Sequence, residues 1–276
     1  MSITAGIDVG STYTKAILLN GDGQIVARHV QQTGFKLAQV AEKCFNEIME
    51  KAGVQRSDVE YVIATGFGRH QVAFKDLHVT DLTASARGAH KLFPGTRSIL
   101  DVGGQTMKAI RLEETNGMVK SFRLNDKCAA GTGAFLEKTA RYMGYETADI
   151  GPLLSTSRSP VEISGVCAVF AESEVINQLS LGTPPADIMQ GAIESLTGRA
   201  VQLMKRAKAE SEFTLIGGIM RFATMPAAVR ERVKAVVNLP GEADNDLAIA
   251  QFVTALGAAV LGQRRLEKIA QEAGVV

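Results

Sequence analysis

Two aspartates close apolar runs and stand two residues before a glycine: Asp8 in Ile7-Asp8-Val9-Gly10 and Asp101 in Leu100-Asp101-Val102-Gly103. A glycine turn after a strand lets backbone N–H groups approach a phosphate, because no Cβ stands in the way. Ser11 and Thr12 add hydroxyls behind the first turn and Lys15 adds a cation, while Gly103 and Gly104 form the second turn. A bound triphosphate also needs Mg²⁺, which keeps several waters and takes one or two carboxylates. Asp8 and Asp101 suit that role, one from each half. A single Asp-x-Gly reads more readily as a mere hairpin corner. Two copies on equivalent strands, with a third glycine turn at Gly217-Gly218, favour the nucleotide. No G-x-x-x-x-G-K-[ST] occurs, which excludes a P-loop, and no G-x-G-x-x-G follows a strand, which argues against a dinucleotide site.

Two cysteines form the other group able to do chemistry. Cys128 lies in Asn125-Asp126-Lys127-Cys128-Ala129-Ala130-Gly131-Thr132-Gly133, and Cys167 in Ser164-Gly165-Val166-Cys167-Ala168-Val169-Phe170-Ala171-Glu172. Both precede helix-like runs, Phe135 to Met143 and Val169 to Leu179, so each sulfur is expected at a helix N-terminus, where a thiolate is stabilised. Read on spacing alone, both are equally small buried residues, since no C-x-x-C is present. Cys44, on the apolar face of a helix, reads as core. His29, His70, His78 and His90 are scattered and read as surface or satisfied core residues. Lys205-Arg206 and Arg230-Glu231-Arg232 read as solvated helix faces.

The elements that must position these groups come in two similar sets. Strands are expected over Ile3 to Val9, Thr14 to Leu19 and Gln24 to Val30, with a hairpin turn at Asn20-Gly21-Asp22-Gly23. A helix follows over Phe35 to Lys51, ended by Gly53. A short strand over Tyr61 to Ala64 runs into Thr65-Gly66-Phe67-Gly68, and a helix covers Leu82 to Phe93. After a boundary at Pro94-Gly95 the pattern restarts: strands over Ser98 to Val102, Thr106 to Leu112 and Met118 to Leu124, later Phe213 to Ile216, and a last helix from about Leu247. The two aspartate turns are 93 positions apart (101 − 8). That is too long for a solenoid period and fits two duplicated α/β domains. The expected division is 1–95 plus 247–276, and 96–246.

The chain has 276 residues, a net charge of +1, 46% hydrophobic and 21% charged residues, and three cysteines. Such a composition is that of a globular protein. Without a basic block it offers nothing to nucleic acid or an anionic membrane surface. The opening MSITAGIDVG has no signal-peptide character, and no uncharged run of about 18 apolar residues is expected to span a bilayer. Three cysteines argue against a disulfide scaffold and for a cytoplasmic setting.

IDVGST, LDVGGQ, LIGGI and ALGAA, in this order, resemble the phosphate-1, phosphate-2, adenosine and connecting-helix signatures of the actin-like ATPase superfamily (acetate kinase, Hsp70, actin). The resemblance spans nearly the whole chain. It implies two ribonuclease-H-like domains with ATP in the cleft between them. Gly217 and Gly218 would lie against adenosine, and Gln105 near the γ-phosphate to orient water. No separate catalytic glutamate is identified. NDKCAAGTGAFLE and CAVFAESEVINQLS resemble the BadF/BadG/BcrA/BcrD-type ATPases, the activators of 2-hydroxyacyl-CoA dehydratases and ATP-hydrolysing subunits of benzoyl-CoA reductase. This resemblance implies that Cys128 and Cys167 of each of two subunits ligate one [4Fe–4S] cluster per dimer. It also implies ATP-driven transfer of one electron, supplied by reduced ferredoxin or flavodoxin, to an iron–sulfur acyl-CoA dehydratase or reductase. Two arrangements remain open, a homodimer and a heterodimer with a homologous ATPase subunit. Phe67-Gly68-Arg69-His70 and the C-terminal part incline the reading to the reductase context. The alternatives are a small-molecule kinase of the same fold, which needs its own acidic base, and a non-enzymatic filament or chaperone module.

Overall fold

The structure, a computed structural model, describes residues 2–125, 132–163 and 168–274. The chain forms two compact units: Met1–Gly95 with Glu113–Val119 and Phe252–Val276, and Thr96–Leu112 with Lys120–Gln251.

In the first unit, β1 (Ile3–Val9), β2 (Tyr13–Leu19) and β3 (Ile25–Gln32) form an antiparallel meander. Helix α1 (Leu37–Ala52) returns the chain so that β4 (Val59–Thr65) lies parallel to β1, with β5 (Leu77–His78) beyond it. The sheet order is β3-β2-β1-β4-β5. Helix α1 ends where expected: Gly53 is left-handed (φ 66°) and its N–H donates to Glu50 O. Alternation along β1 decides what each face does. Ala5, Ile7 and Val9 join the core with Ala41, Cys44, Phe45 and Ile48 of α1. Thr4, Gly6 and Asp8 face the other way, where α8 (Val253–Glu272) packs.

That packing is close. A Cβ on Gly6 would come 1.9 Å from Ala255 O. Helix α2 (Asp81–Leu92), capped by Thr80 Oγ1 accepting from Thr83 N–H, meets α8 just as tightly, since a Cβ on Gly257 would lie 1.8 Å from Ala84 O. The Leu247–Glu272 stretch is long and apolar enough to cross a membrane by composition, contrary to expectation, yet 67% of its apolar window is buried. Val253, Ala255, Leu256, Ala258 and Ala259 are core residues.

The second unit repeats the plan. β6 (Ser98–Val102) pairs antiparallel with β7 (Met107–Leu112), and β8 (Val119–Asn125) lies outside it. After helices α3 (Gly133–Tyr142), α4 (Ile150–Leu154), α5 (Ala168–Ser180) and α6 (Pro185–Arg206), β9 (Phe213–Ile216) enters parallel to β6. After α7 (Thr224–Val233), β10 (Val237–Asn238) joins parallel to β9. The order β8-β7-β6-β9-β10 is that of the first sheet, strand for strand. Leu100, Val102, Met107 and Ala109 pack with Phe135, Leu136, Ile188 and Ile193 in this unit's core.

Three local expectations change. The two-residue strands β5 and β10 are too short to leave a period in the sequence. The histidines are less scattered than expected: the His70 and His78 rings meet edge-on with centroids 4.6 Å apart, and Lys51 Nζ lies 2.9 Å from His29 Nδ1. The arginines of α7 do lie on a solvated face, but they are paired there. Arg230 forks onto both oxygens of Glu242 at 2.6 Å, and Arg232 pairs with Glu194.

Candidate functional site

Asp8 ends β1, buried at 7% exposure. The antiparallel register sets Asp8 opposite Lys15 on β2, so both side chains leave the same face, and Lys15 Nζ donates to Asp8 Oδ2 at 3.2 Å. On the parallel side stands Gly66, directly after β4, at φ 85°. A Cβ there would lie 2.4 Å from Asp8 Oδ1 and 2.7 Å from Val9 O, so the carboxylate occupies the space of the missing side chain. The hairpin between β1 and β2 closes with Gly10 N–H donating to Tyr13 O at 3.2 Å. Its carbonyls are held from behind by Thr33, whose N–H donates to Thr12 O (2.9 Å) and whose hydroxyl donates to Gly10 O (2.8 Å). Ser11 is partly exposed, and the Thr12 hydroxyl is buried without a hydrogen-bond partner among the described residues.

Asp101, at 6% exposure, repeats this arrangement. It stands opposite Lys108 in the β6–β7 register, and Lys108 Nζ donates to Asp101 Oδ2 at 3.0 Å. Its parallel neighbour ends in Gly217, at φ 101°, where a Cβ would lie 2.9 Å from Asp101 Oδ1 and 2.3 Å from Val102 O. Gly103 N–H donates to Thr106 O at 2.9 Å, closing the turn. Here the first residues of α3 hold the turn's carbonyls: Gly133 N–H donates to Gly103 O (2.9 Å) and Ala134 N–H to Gly104 O (2.7 Å). Gln105 is exposed at the tip and Gly218 is half-buried.

Each unit therefore builds the same device from an aspartate, a lysine seven residues later and a left-handed glycine on the parallel strand. Lys108 and Gly66 are not among the residues the sequence singled out. The signal was available: the 93-residue offset carries Lys15 onto Lys108, and the strand pairing of β4 with β1 makes Gly66 the counterpart of Gly217. The residues present fit a polyphosphate with its divalent ion. Each unit brings a carboxylate and an ammonium group beside a glycine turn whose carbonyls accept hydrogen bonds from neighbouring donors. When the glycine N–H is committed to the hairpin, its role is close approach rather than donation.

Cys128 and Cys167 lie outside the described residues. Their helices are present at the expected places, α3 from Gly133 and α5 from Ala168. Among the described residues no three His, Cys, Asp or Glu side chains gather as a metal site. Cys44 is buried, its sulfur 3.8 Å from Thr14 O; burial first, then the charge of Asp8, pushes its thiol up to about 12. It is a core thiol.

Residues 5–262 match the BadF/BadG/BcrA/BcrD ATPase family. The chain belongs to that family. It is 35% identical over 270 residues to the (R)-2-hydroxyglutaryl-CoA dehydratase activating ATPase of Acidaminococcus fermentans, covering 97% of this chain and all of the relative. It is 36% identical over 285 residues to one of the subunits of benzoyl-CoA reductase from Thauera aromatica, covering 98% of this chain and 96% of that one. Its fold matches the activator of the 2-hydroxyisocaproyl-CoA dehydratase from Clostridium difficile with bound ADPNP, with a TM-score of 0.89 at 33% identity, over 98% and 97% of the two chains. This family member is thus an ATP-binding ATPase of the actin-like fold, α/β in class, with a duplicated mixed sheet. Identities this close, to a dehydratase activator and to a reductase component, favour neither setting over the other.

Proposed function

We propose that this chain is an ATP-driven one-electron donor that hydrolyses Mg-ATP to deliver low-potential electrons to an iron–sulfur acyl-CoA dehydratase or reductase. The observation that carries the reading is the link within the second unit from the Asp101 turn to α3. Gly103 and Gly104 are hydrogen-bonded to Gly133 and Ala134, which follow closely on Cys128 in the chain. A change at the turn on hydrolysis is felt at the start of α3, five residues after Cys128 in the chain (133 − 128), through two backbone bonds, with no flexible side chain between.

In this reading Asp8 and Asp101 orient the hydrated Mg²⁺ and Ser11, Thr12 and Lys15 bind phosphate oxygens. Gly10, Gly103 and Gly104 allow close approach, Gln105 orients the attacking water, and Gly217 and Gly218 lie against adenosine. Cys128 and Cys167 are two thiolates where a [4Fe–4S] cluster generally takes four. The cluster is therefore shared with a second copy of the chain or with a homologous one. When bound, that cluster supplies the single electron, received from reduced ferredoxin or flavodoxin, and ATP supplies the free energy. Each 59 mV of one-electron potential is about a tenfold change in equilibrium constant, which surface charge pairs do not provide.

Anaerobic purification with iron and sulfide analysis tests this. About four irons per dimer are expected, with loss of iron and weakened dimerisation in Cys128→Ser and in Cys167→Ser. Four irons per monomer, or iron retained in Cys167→Ser, would refute the shared-cluster reading.

A further inference from the structure

We infer that Thr65 is a positioning residue for Asp8, its hydroxyl holding a water of the hydrated divalent ion that also hydrogen-bonds the Asp8 carboxylate. The inference deepens the nucleotide reading above and rests on it. Thr65 ends β4 and stands directly beside Asp8 in the parallel register. Its neighbour Ala64 joins the α1 core, while Ile63 clusters with Ala84 of α2 and Ala258 of α8. Alternation therefore turns Thr65 to the α8 side, the face that Asp8 also takes. The carboxylate leans toward the same strand, since a Cβ on Gly66 would lie 2.4 Å from Asp8 Oδ1.

Thr65 is wholly buried (0% exposure), and among the described residues its hydroxyl has no hydrogen-bond partner. Native proteins rarely leave such a group unsatisfied. The frame itself does not require it. In the second unit the residue beside Asp101 is Ile216, buried and apolar, in the same parallel register and ahead of a left-handed glycine. One copy thus carries a hydroxyl where the other is built with a hydrocarbon. Full burial leaves no room for a phosphate, whereas a water fits where two to four polar groups hold it. The Thr65 hydroxyl and the Asp8 carboxylate are two such groups. Lys15 already holds Oδ2 at 3.2 Å, so Oδ1, on the Thr65 side, is the oxygen that accepts from the water. A metal-bound water directs its lone pair to the cation and keeps both hydrogens for donation, one to each of these groups.

The test pairs thermal unfolding of the nucleotide-free protein with ADP binding by calorimetry, in Mg²⁺ and in excess EDTA. Thr65→Val keeps the shape and removes the hydroxyl. It should unfold at the wild-type temperature or above, because a buried hydroxyl without a partner is gone. Its affinity for MgADP should fall by about tenfold, the loss of one hydrogen bond, while its affinity for metal-free ADP stays within about twofold. Thr65→Ser, which restores the hydroxyl, should recover MgADP binding. A threonine that served only the fold would give the reverse, a lower unfolding temperature with the same change of affinity in both conditions. That result, or an unchanged MgADP affinity in a stable Thr65→Val, would overturn the role of Thr65 while leaving the nucleotide reading intact. Failure of the wild-type protein to bind ADP at all would overturn both.

Discussion

Asp8 and Asp101 share a predicament: both are nearly buried carboxylates at the end of a strand. Each needs a cation, and a lysine supplies it. Converting either to asparagine removes the charge but keeps the shape, so Asp8→Asn and Asp101→Asn should remain folded. Hydrolysis of ATP should drop by about a hundredfold or more in each. Circular dichroism and phosphate release check the two halves of that expectation. Gln105 is exposed at its turn and touches no core, so Gln105→Ala should slow hydrolysis by about a hundredfold while leaving nucleotide affinity nearly unchanged; a large affinity loss would contradict its role with water. Cys44 offers an internal control. Burial pushes its thiol up to about 12, so at pH 8 almost none is thiolate, the reactive form. Mass spectrometry after brief alkylation should find Cys44 unmodified in the native protein and modified in denaturant, and Cys44→Ser should keep its iron.

At the scale of elements, the glycines at strand ends and helix crossings carry the sharpest consequences. Gly66→Ala and Gly217→Ala would each put a methyl group against a backbone carbonyl and an aspartate oxygen, at a positive φ. A loss of about 1–3 kcal/mol in stability is expected, with weakened ADP binding. Gly257→Ala, in the α2–α8 contact, should cost a similar amount without a specific effect on nucleotide, as thermal unfolding with and without ADP would separate. The loop ahead of Cys167 is tied down by Asp187 of α6, whose Oδ1 accepts from Ser157 Oγ and from the N–H groups of Arg158 and Ser159 at 2.8–2.9 Å. The Ser159 backbone bond, first among these, holds its carboxyl below the ordinary 3.8. A depressed folded value means the stabilisation is present above 3.8 and is lost as pH falls through the folded value. The stability gap between wild type and Asp187→Asn, read from chemical denaturation, should be steady near neutral pH and shrink below about pH 4.

These elements also divide what a sequence can display from what it hides. The hairpins and α1 were legible, since alternation, an Asn-Gly-Asp-Gly turn and a capping glycine all act locally. Asp8 and Asp101 were legible because the repeat places them in identical frames. Lys108 was less so, because it stands seven residues beyond its aspartate in an ordinary strand, with no turn or motif beside it. Gly66 and the α3 grip on the Gly103-Gly104 turn depend on which strand lies beside which, a long-range pairing that local pattern does not encode.

For the whole molecule, duplication is the organising fact. Two units with one strand order place one acid, one ammonium group and one left-handed glycine at equivalent points, and the turn of the second is joined by backbone bonds to the helix that follows Cys128. The proposed coupling of nucleotide state to a redox group would run through this link. The most direct measurement is electron delivery from the dithionite-reduced protein to its acyl-CoA dehydratase or reductase partner, followed by stopped-flow absorbance under anaerobic conditions with Mg-ATP, with a non-hydrolysable analogue, and with no nucleotide. Rapid transfer with Mg-ATP alone is the predicted result, with Asp101→Asn behaving as the nucleotide-free protein does. Equal transfer in all three conditions would contradict the coupling of hydrolysis to electron transfer.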